Sequence, residues 1–75
     1  MLTWKQGASI YYQQAVEDRR YTVAKYADLV NGGWHYVAWF KDGSHLERLN
    51  DARNDDVNVA RQAASDHFGA LRKAA

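Results

Sequence analysis

The spacing of hydrophobic and polar residues changes about two-thirds of the way along the chain. Before that point apolar and polar residues alternate, and aromatic and β-branched residues are frequent. After it the chain is alanine-rich, with apolar residues three and four positions apart. Alternation is typical of strands with one buried face, and the longer period is typical of an amphipathic helix. The pattern therefore predicts a single α+β domain over residues 1–75, with a sheet over about 2–49 and a helix over about 56–73.

The strand-like segments are bounded by polar or glycine-containing turns. They are residues 9–16, 20–26, 34–41 and 44–49, with residues 2–5 as a short further candidate. Asp42-Gly43 is a favoured pair for a two-residue hairpin turn, and Asn31-Gly32-Gly33 supplies residues that tolerate positive φ. We expect a three- to four-stranded antiparallel sheet packed on one C-terminal helix, whose first turn is capped by Asp55 or Asp56.

A turn at Asp42-Gly43 places Phe40 opposite His45 and sorts the second hairpin into two faces. The face assigned to the helix, because it has more contiguous apolar area, carries Trp34, Tyr36, Ala38, Phe40 and Leu49. The other face carries His35, Val37, Trp39, Leu46 and Arg48. In the first hairpin, alternation places Tyr12, Val16, Tyr21 and Val23 on one side, and Tyr11, Ala15, Ala24 and Tyr26 on the other.

One helix covers one sheet face, so the second face contacts water or a partner. An apolar patch with a basic rim is typical of an interface. The residues expected to bind a protein partner are Tyr11, Val37, Trp39, Lys41, Leu46 and Arg48. The alternative is that the N-terminal segment or residues 50–55 fold over this face.

Composition limits how so small a domain is stabilised. A chain of 75 residues without cysteine has neither a disulfide nor a cysteine-type zinc site. Its three Trp, five Tyr and two Phe supply apolar area instead, since each ring buries roughly 150–250 Å². No apolar run approaches the ~20 residues of a membrane span, and the N-terminus lacks a signal-peptide pattern. We therefore expect a cytoplasmic protein that does not bind a membrane.

The titratable residues do not form a catalytic pattern. There is no nucleophile elbow, no phosphate-binding glycine loop and no paired-carboxylate motif. His35, His45 and His67 lack the close spacing of a metal site, and the predicted register puts His35 and His45 on opposite faces. We predict a protein that is not an enzyme, with no catalytic residue, no metal and no cofactor.

Charge is nearly balanced, with ten Lys and Arg against nine Asp and Glu. That balance falls short of the composition of a dedicated nucleic-acid-binding protein, although it allows a local basic patch. The candidate residues for nucleic-acid binding are Arg19, Arg20, Lys25 and Arg48. Neighbouring rings would supply surfaces for bases and sugars. The alternative for Arg19 and Arg20 is a solvated hairpin end, because Glu17 and Asp18 lie beside them.

Several short motifs give the chain a resemblance to known proteins. They are Leu2-Thr3-Trp4, Tyr21-Thr22-Val23, Gly33-Trp34 followed by Leu46, and a helix with Ala60, Ala64 and His67. With them the chain resembles small orphan proteins of phages, prophages and other mobile elements, a group that includes anti-CRISPR and other anti-defence inhibitors. This resemblance implies a sheet-plus-helix fold and a location in the host cell cytoplasm. The second hairpin and helix also look a little like the AP2 and integrase-arm DNA-binding domains, in which a sheet enters the major groove.

Two functions from different classes follow from these observations. The first is a non-enzymatic binding protein of phage type that blocks a protein partner, with a CRISPR-type bacterial defence complex as the more specific expectation. The second is a small nucleic-acid-binding module that uses a basic, aromatic sheet face. A homodimer formed through the second face or an exposed edge strand is a further alternative.

Overall fold

The computed structural model describes residues 1–74 and has five strands followed by one helix. The elements are β1 Trp4–Gln6, β2 Tyr12–Ala15, β3 Tyr21–Ala27, β4 Trp34–Asp42, β5 His45–Arg48 and α1 Val57–Ala74. The strands pair antiparallel in the order β1-β2-β3-β4-β5. The α+β class and the antiparallel sheet are confirmed. The strand number is corrected from three or four to five.

The additional strand comes from the N-terminal segment. Trp4 lies opposite Ala15 on β2, and the backbone N–H of Val16 donates to the carbonyl of Thr3 at 2.8 Å. The Glu17 carboxylate accepts hydrogen bonds from the backbone N–H and the hydroxyl of Thr3, and these bonds lower its pKa. A strand of three residues is too short to show a period in sequence. Residues 2–5 were therefore only a candidate strand in the sequence, and the pairing with β2 places the strand at Trp4–Gln6.

The turn between β4 and β5 lies one position later than the sequence predicts. Phe40 pairs with Glu47 and not with His45, so the central turn residues are Gly43 and Ser44. Gly43 has a φ of 61°, which suits the first central position of a type II′ turn. This correction moves each pairing by two positions, so the sorting of β4 and β5 side chains into two faces is unchanged.

In the first hairpin, the residues of β2 and β3 that share a face differ from those predicted. Tyr12 lies opposite Ala24, which puts both on the face away from the helix. Ala15 instead joins Tyr21 and Val23 in the core under the helix. A register that differs by one residue transfers every side chain to the other face. The predicted grouping of Tyr12 with Tyr21 and Val23 is therefore wrong.

The helix packs on β3 and β4 and buries one face of the sheet. The buried core consists of Leu2, Ala15, Tyr21, Val23, Ala38, Phe40, Ala60 and Ala64. Ala60 and Ala64 have no exposed surface, and their small side chains allow the helix to lie close to the sheet. Tyr36 and Leu49 pack against this core. The assignment of their face to the helix is thus confirmed.

The helix is capped by one of the two residues that the sequence predicts. Oδ1 of Asp56 accepts a hydrogen bond of 2.9 Å from the backbone N–H of Asn58, which makes Asp56 the N-cap. The helix then runs from Val57 to Ala74, one residue later at each end than predicted. Within the described residues, no helix is long and apolar enough to span a membrane.

Candidate functional site

The sheet face turned away from the helix carries the candidate site, and we call it the open face. Alternation along the paired strands defines its members. They are Lys5, Tyr12, Gln14, Thr22, Ala24, Tyr26, His35, Val37, Trp39, Lys41, Leu46 and Arg48. Tyr12, Tyr26 and Leu46 are 42%, 45% and 58% exposed, so apolar area on this face does contact water.

Two aromatic residues form a fixed unit at the centre of the open face. Nε1–H of Trp39 donates a hydrogen bond to the hydroxyl of Tyr26 at 3.2 Å. Along the strands, Trp39 and Tyr26 stand on opposite sides of the Ala24–Val37 pair. Their rings reach towards each other across this pair, which explains why Ala24 and Val37 are each only 1% exposed. Because Ala24 is small, the rings can lie low over it.

One row of paired residues crosses the whole open face. Lys5 pairs with Gln14, Gln14 with Thr22, Thr22 with Trp39, and Trp39 with Arg48. Neighbouring strands lie about 4.8 Å apart, so the row is about 19 Å long. It has an exposed cation at each edge of the sheet and the indole of Trp39 between them.

The charged strand residues of the open face all have one sign. Lys5, Lys41 and Arg48 are exposed there, and none of its strand residues, all within the described part of the chain, is Asp or Glu. The strand carboxylates Asp42 and Glu47 lie on the helix side. The whole chain has a formal net charge of only +1, so its cations and carboxylates are distributed unevenly between the two faces.

The residues predicted for a protein partner are mostly on the open face, but two of them are not available there. Val37 is covered by the Trp39–Tyr26 pair and is buried. Tyr11 lies at the end of the sheet, where its ring centroid is 5.9 Å from that of Trp34. Alternation missed the burial of Val37 because it records the face of a side chain and not its cover. It misplaced Tyr11 because the predicted register of the first hairpin was wrong.

The residues predicted for nucleic-acid binding do not come together. Arg20 is bound to Asp18 at 2.7 Å and to Asp42 at 3.3 Å, and its guanidinium lies 5.2 Å from the centroid of Phe40. The hydrogen bonds with Arg20 lower the pKa of Asp18, and the two carboxylates raise the pKa of Arg20. Lys25, near the other end of β3, places its ammonium 4.6 Å from the Trp34 centroid on the helix side.

Of the remaining members, Arg19 precedes β3 and is exposed, and only Arg48 lies on the open face. The arginines flanked by Glu17 and Asp18 thus behave as the alternative described, a hairpin end whose charges are partly paired. The structure instead puts Lys5 and Lys41 on the same face as Arg48, with Lys5 at the opposite edge of the sheet. Lys5 was not in either predicted binding set, because the pattern of the three-residue strand β1 does not define its face.

A second exposed feature is the loop between β3 and β4, which the sequence predicted only as a loop. Leu29 and Val30 at its tip are 94% and 90% exposed. Oδ1 of Asp28 accepts hydrogen bonds from the backbone N–H groups of Val30 and Asn31, at 3.0 and 2.9 Å. Its Oδ2 lies 2.9 Å from Nε2 of His35. The bonds from Asn31, His35 and Val30 lower the pKa of Asp28 to about 2.

His67 packs between the helix and the sheet. Nδ1 of His67 lies 2.7 Å from the hydroxyl of Tyr21, a residue with no exposed surface. A hydroxyl buried beneath the helix has no access to a substrate. Nε2 of His67 is 3.7 Å from a carboxylate oxygen of Glu47, beyond hydrogen-bond distance. Within residues 1–74, no group of His, Cys, Asp and Glu has the arrangement to hold a metal ion.

No protein family, no curated protein and no solved structure matches this chain. The function of the open face is therefore argued from its own charges, rings and dimensions.

Proposed function

We propose that the chain is a non-enzymatic nucleic-acid-binding module that uses the open face of its sheet. The observation that carries the proposal is the one-signed charge of this face. Lys5, Lys41 and Arg48 are exposed there without a strand carboxylate beside them, although the chain as a whole is nearly neutral. Such a face favours a polyanion, because neutralising phosphates releases their condensed counterions.

The aromatic residues of the open face support the same ligand class. Tyr12 and Tyr26 are exposed by nearly half, and Trp39 is fixed beside them by its hydrogen bond. Aromatic rings interleaved with cations provide stacking surfaces for bases and charge for the backbone. Arg19, Arg20 and Lys25 have no part in this proposal, which replaces the nucleic-acid-binding set expected from sequence.

The proposal is tested by fluorescence anisotropy with labelled DNA and RNA of mixed sequence. With one phosphate at each of the three cations, the logarithm of the binding constant should fall with a slope of about −2 to −3 against the logarithm of salt concentration. Between about 50 mM and about 200 mM salt, affinity should then fall about 20- to 60-fold. Arg48→Gln should reduce the magnitude of the slope by about 0.7 to 0.9.

The matched control is Lys73→Gln. Lys73 is an exposed cation in the last turn of α1, on the other side of the sheet, and its loss should leave the slope unchanged. If no probe binds at about 50 mM salt, or if the two variants change the slope equally, the open face is not a nucleic-acid-binding site.

Blocking of a protein partner is the second candidate function, and the β3–β4 loop is the observation that favours it. Leu29 and Val30 are almost fully exposed on a loop held by the carboxylate of Asp28. A pre-ordered apolar tip loses little conformational entropy on docking. This candidate includes the inhibitor of a bacterial defence complex suggested by the resemblance to mobile-element proteins. A chain that binds no nucleic acid would leave it as the working function.

A further inference from the structure

We infer that the ligand of the open face is a single strand of nucleic acid, with unpaired bases stacked on the Tyr26–Trp39 unit. The inference rests on the proposed function and narrows its ligand. The Tyr26–Trp39 unit, the width of the sheet and the number of cations each favour a single strand over a duplex.

The width of the open face is unsuited to a duplex groove. The row from Lys5 to Arg48 crosses all five strands and is about 19 Å long. The major groove of B-DNA is about 12 Å wide and admits a helix or a two-stranded ribbon. A five-stranded face of this width does not enter the groove, and against the outside of a duplex its central rings would meet only the backbone.

The central rings are arranged for stacking. Tyr26 is 45% exposed, and its hydroxyl is held by Nε1–H of Trp39, so part of its ring surface is open while its position is fixed. Tyr12 lies beside them in the row of the Ala24–Val37 pair. Bases in a duplex cover one another's faces, whereas unpaired bases present theirs to protein rings. Stacking on this unit therefore needs an unpaired base.

The cations suit a single strand in number and position. A protein that makes about 6–10 phosphate contacts on DNA needs more cations than Lys5, Lys41 and Arg48, which this face offers. Lys5 and Arg48 are at opposite ends of the row that contains Trp39. A strand laid across the sheet would meet a cation at each edge and a ring between them. Arg48 is the only guanidinium among these strand residues, so the face is poor in side chains for reading paired bases from the groove.

The deciding experiment compares one strand in two states. A labelled mixed-sequence single strand is titrated with the full chain at about 50 mM salt, a low-salt condition. The same strand annealed to its complement is then titrated in the same way. We expect the single strand to bind at least about tenfold more tightly, because stacking on a protein ring is worth about 1–3 kcal/mol for each base and is lost in the duplex.

Tyr26→Ala and its control locate the stacking surface. Tyr26→Ala should weaken single-strand binding about 5- to 150-fold, the factor that corresponds to one lost stacked base. Tyr11 is equally exposed, at 45%, but lies beside Trp34 at the end of the sheet. Tyr11→Ala should change affinity by no more than about twofold, as expected for a surface residue outside the contact. Circular dichroism checks that both variants fold. If Tyr26→Ala does not fold, Tyr12→Ala is used in its place.

Each outcome decides between the two statements. Preference for the single strand with loss of affinity only on the open face supports the inference. Equal or tighter binding of the duplex overturns the inference and leaves the proposed function in place. A Tyr11→Ala effect as large as that of Tyr26→Ala also overturns the inference, because the bases would then lie elsewhere. Absence of binding to either state overturns the proposed function itself.

Discussion

The hydroxyl of Tyr21 is a buried polar group whose partner is Nδ1 of His67, at 2.7 Å. Tyr21→Phe keeps the ring in the core and removes this hydrogen bond. We expect the free energy of unfolding to fall by about 1 kcal/mol, the net contribution of one such bond. Urea denaturation at neutral pH measures the change. Tyr12→Phe, which alters an exposed tyrosine, is the control and should change stability by less than about 0.5 kcal/mol.

The same residue makes stability depend on alkaline pH. Burial raises the pKa of Tyr21 above its ordinary value of 10.0, with the negative charge of Asp18 as a smaller cause. The fold therefore favours the protonated phenol. Its contribution is complete below pH 10.0 and is lost as the pH rises above that value. This alkaline loss should be smaller in Tyr21→Phe, and an unchanged pH profile would contradict the assignment.

Asp28 gives the opposite dependence, at acid pH. Its pKa is lowered from 3.8 to about 2 by hydrogen bonds, of which the one from the backbone N–H of Asn31 is the largest cause. Stability of the β3–β4 loop from this carboxylate is present above pH 3.8 and is lost as the pH falls to about 2. The backbone amide NMR shifts of Val30 and Asn31 should follow this titration.

Two controls make the acid prediction specific. The amide of Ala64, in the buried middle of α1, reports global unfolding and should not follow the same curve as the loop. Asp28→Asn keeps an acceptor oxygen without the titrating charge, so its loop shifts should not change between pH 3.8 and about 2. Loop amides that titrate only together with Ala64 would show that the carboxylate does not hold the loop by itself.

Some residue roles could be predicted from the sequence and others could not. The N-cap was predicted as Asp55 or Asp56, and the hydrogen bond from Asn58 N–H to Asp56 agrees. The burial of Val37 was not expected. It depends on the hydrogen bond between Trp39 and Tyr26, and alternation shows only that these two residues share a face. A local sequence pattern indicates the face to which a side chain points. What covers that side chain depends on the length of its neighbours and on tertiary geometry.

At the scale of secondary-structure elements, replacing glycine by alanine should have opposite effects on stability at two positions. Gly43 has a φ of 61° in the β4–β5 turn, whereas Gly69 lies within α1. A Cβ at either position would have no neighbour within 4 Å, so backbone conformation alone decides the effect. Gly43→Ala should destabilise by about 1–2 kcal/mol, and Gly69→Ala should stabilise by about 0.5–1 kcal/mol. Urea denaturation of the pair measures both changes, and a shared sign would contradict the argument.

The long secondary-structure elements were predicted well from the sequence, and the short ones were not. The helix and β4 have enough residues to show their spacing. The helix lies one residue later at each end than expected, and β4 ends one residue later. β2 is only Tyr12–Ala15, shorter than the predicted segment of residues 9–16, and its register reverses the predicted faces. The register of a four-residue strand is set by its pairing with the neighbouring strands. The pattern of one strand contains no information about that pairing.

At the scale of the whole molecule, the candidate site depends on the sheet being complete. The part of the helix-covered face on β4 was predictable, because Tyr36, Ala38 and Phe40 alternate along a strand of nine residues. The basic character of the open face was only partly predictable, since Lys41 and Arg48 were named but Lys5 joins them through the pairing of β1 with β2. Without that pairing the row across the sheet would have a cation at one edge only.

The order β1-β2-β3-β4-β5 also has a consequence for how the chain folds. Each strand pairs with the next strand in sequence. Only the short loops between strands must therefore close before the strands form their hydrogen bonds. The contacts that close the largest loop join the termini, as in the hydrogen bond from Leu2 N–H to the hydroxyl of Ser65. Folding should therefore begin in the central hairpin of β3 and β4, proceed outwards, and finish on the order of milliseconds when the helix docks.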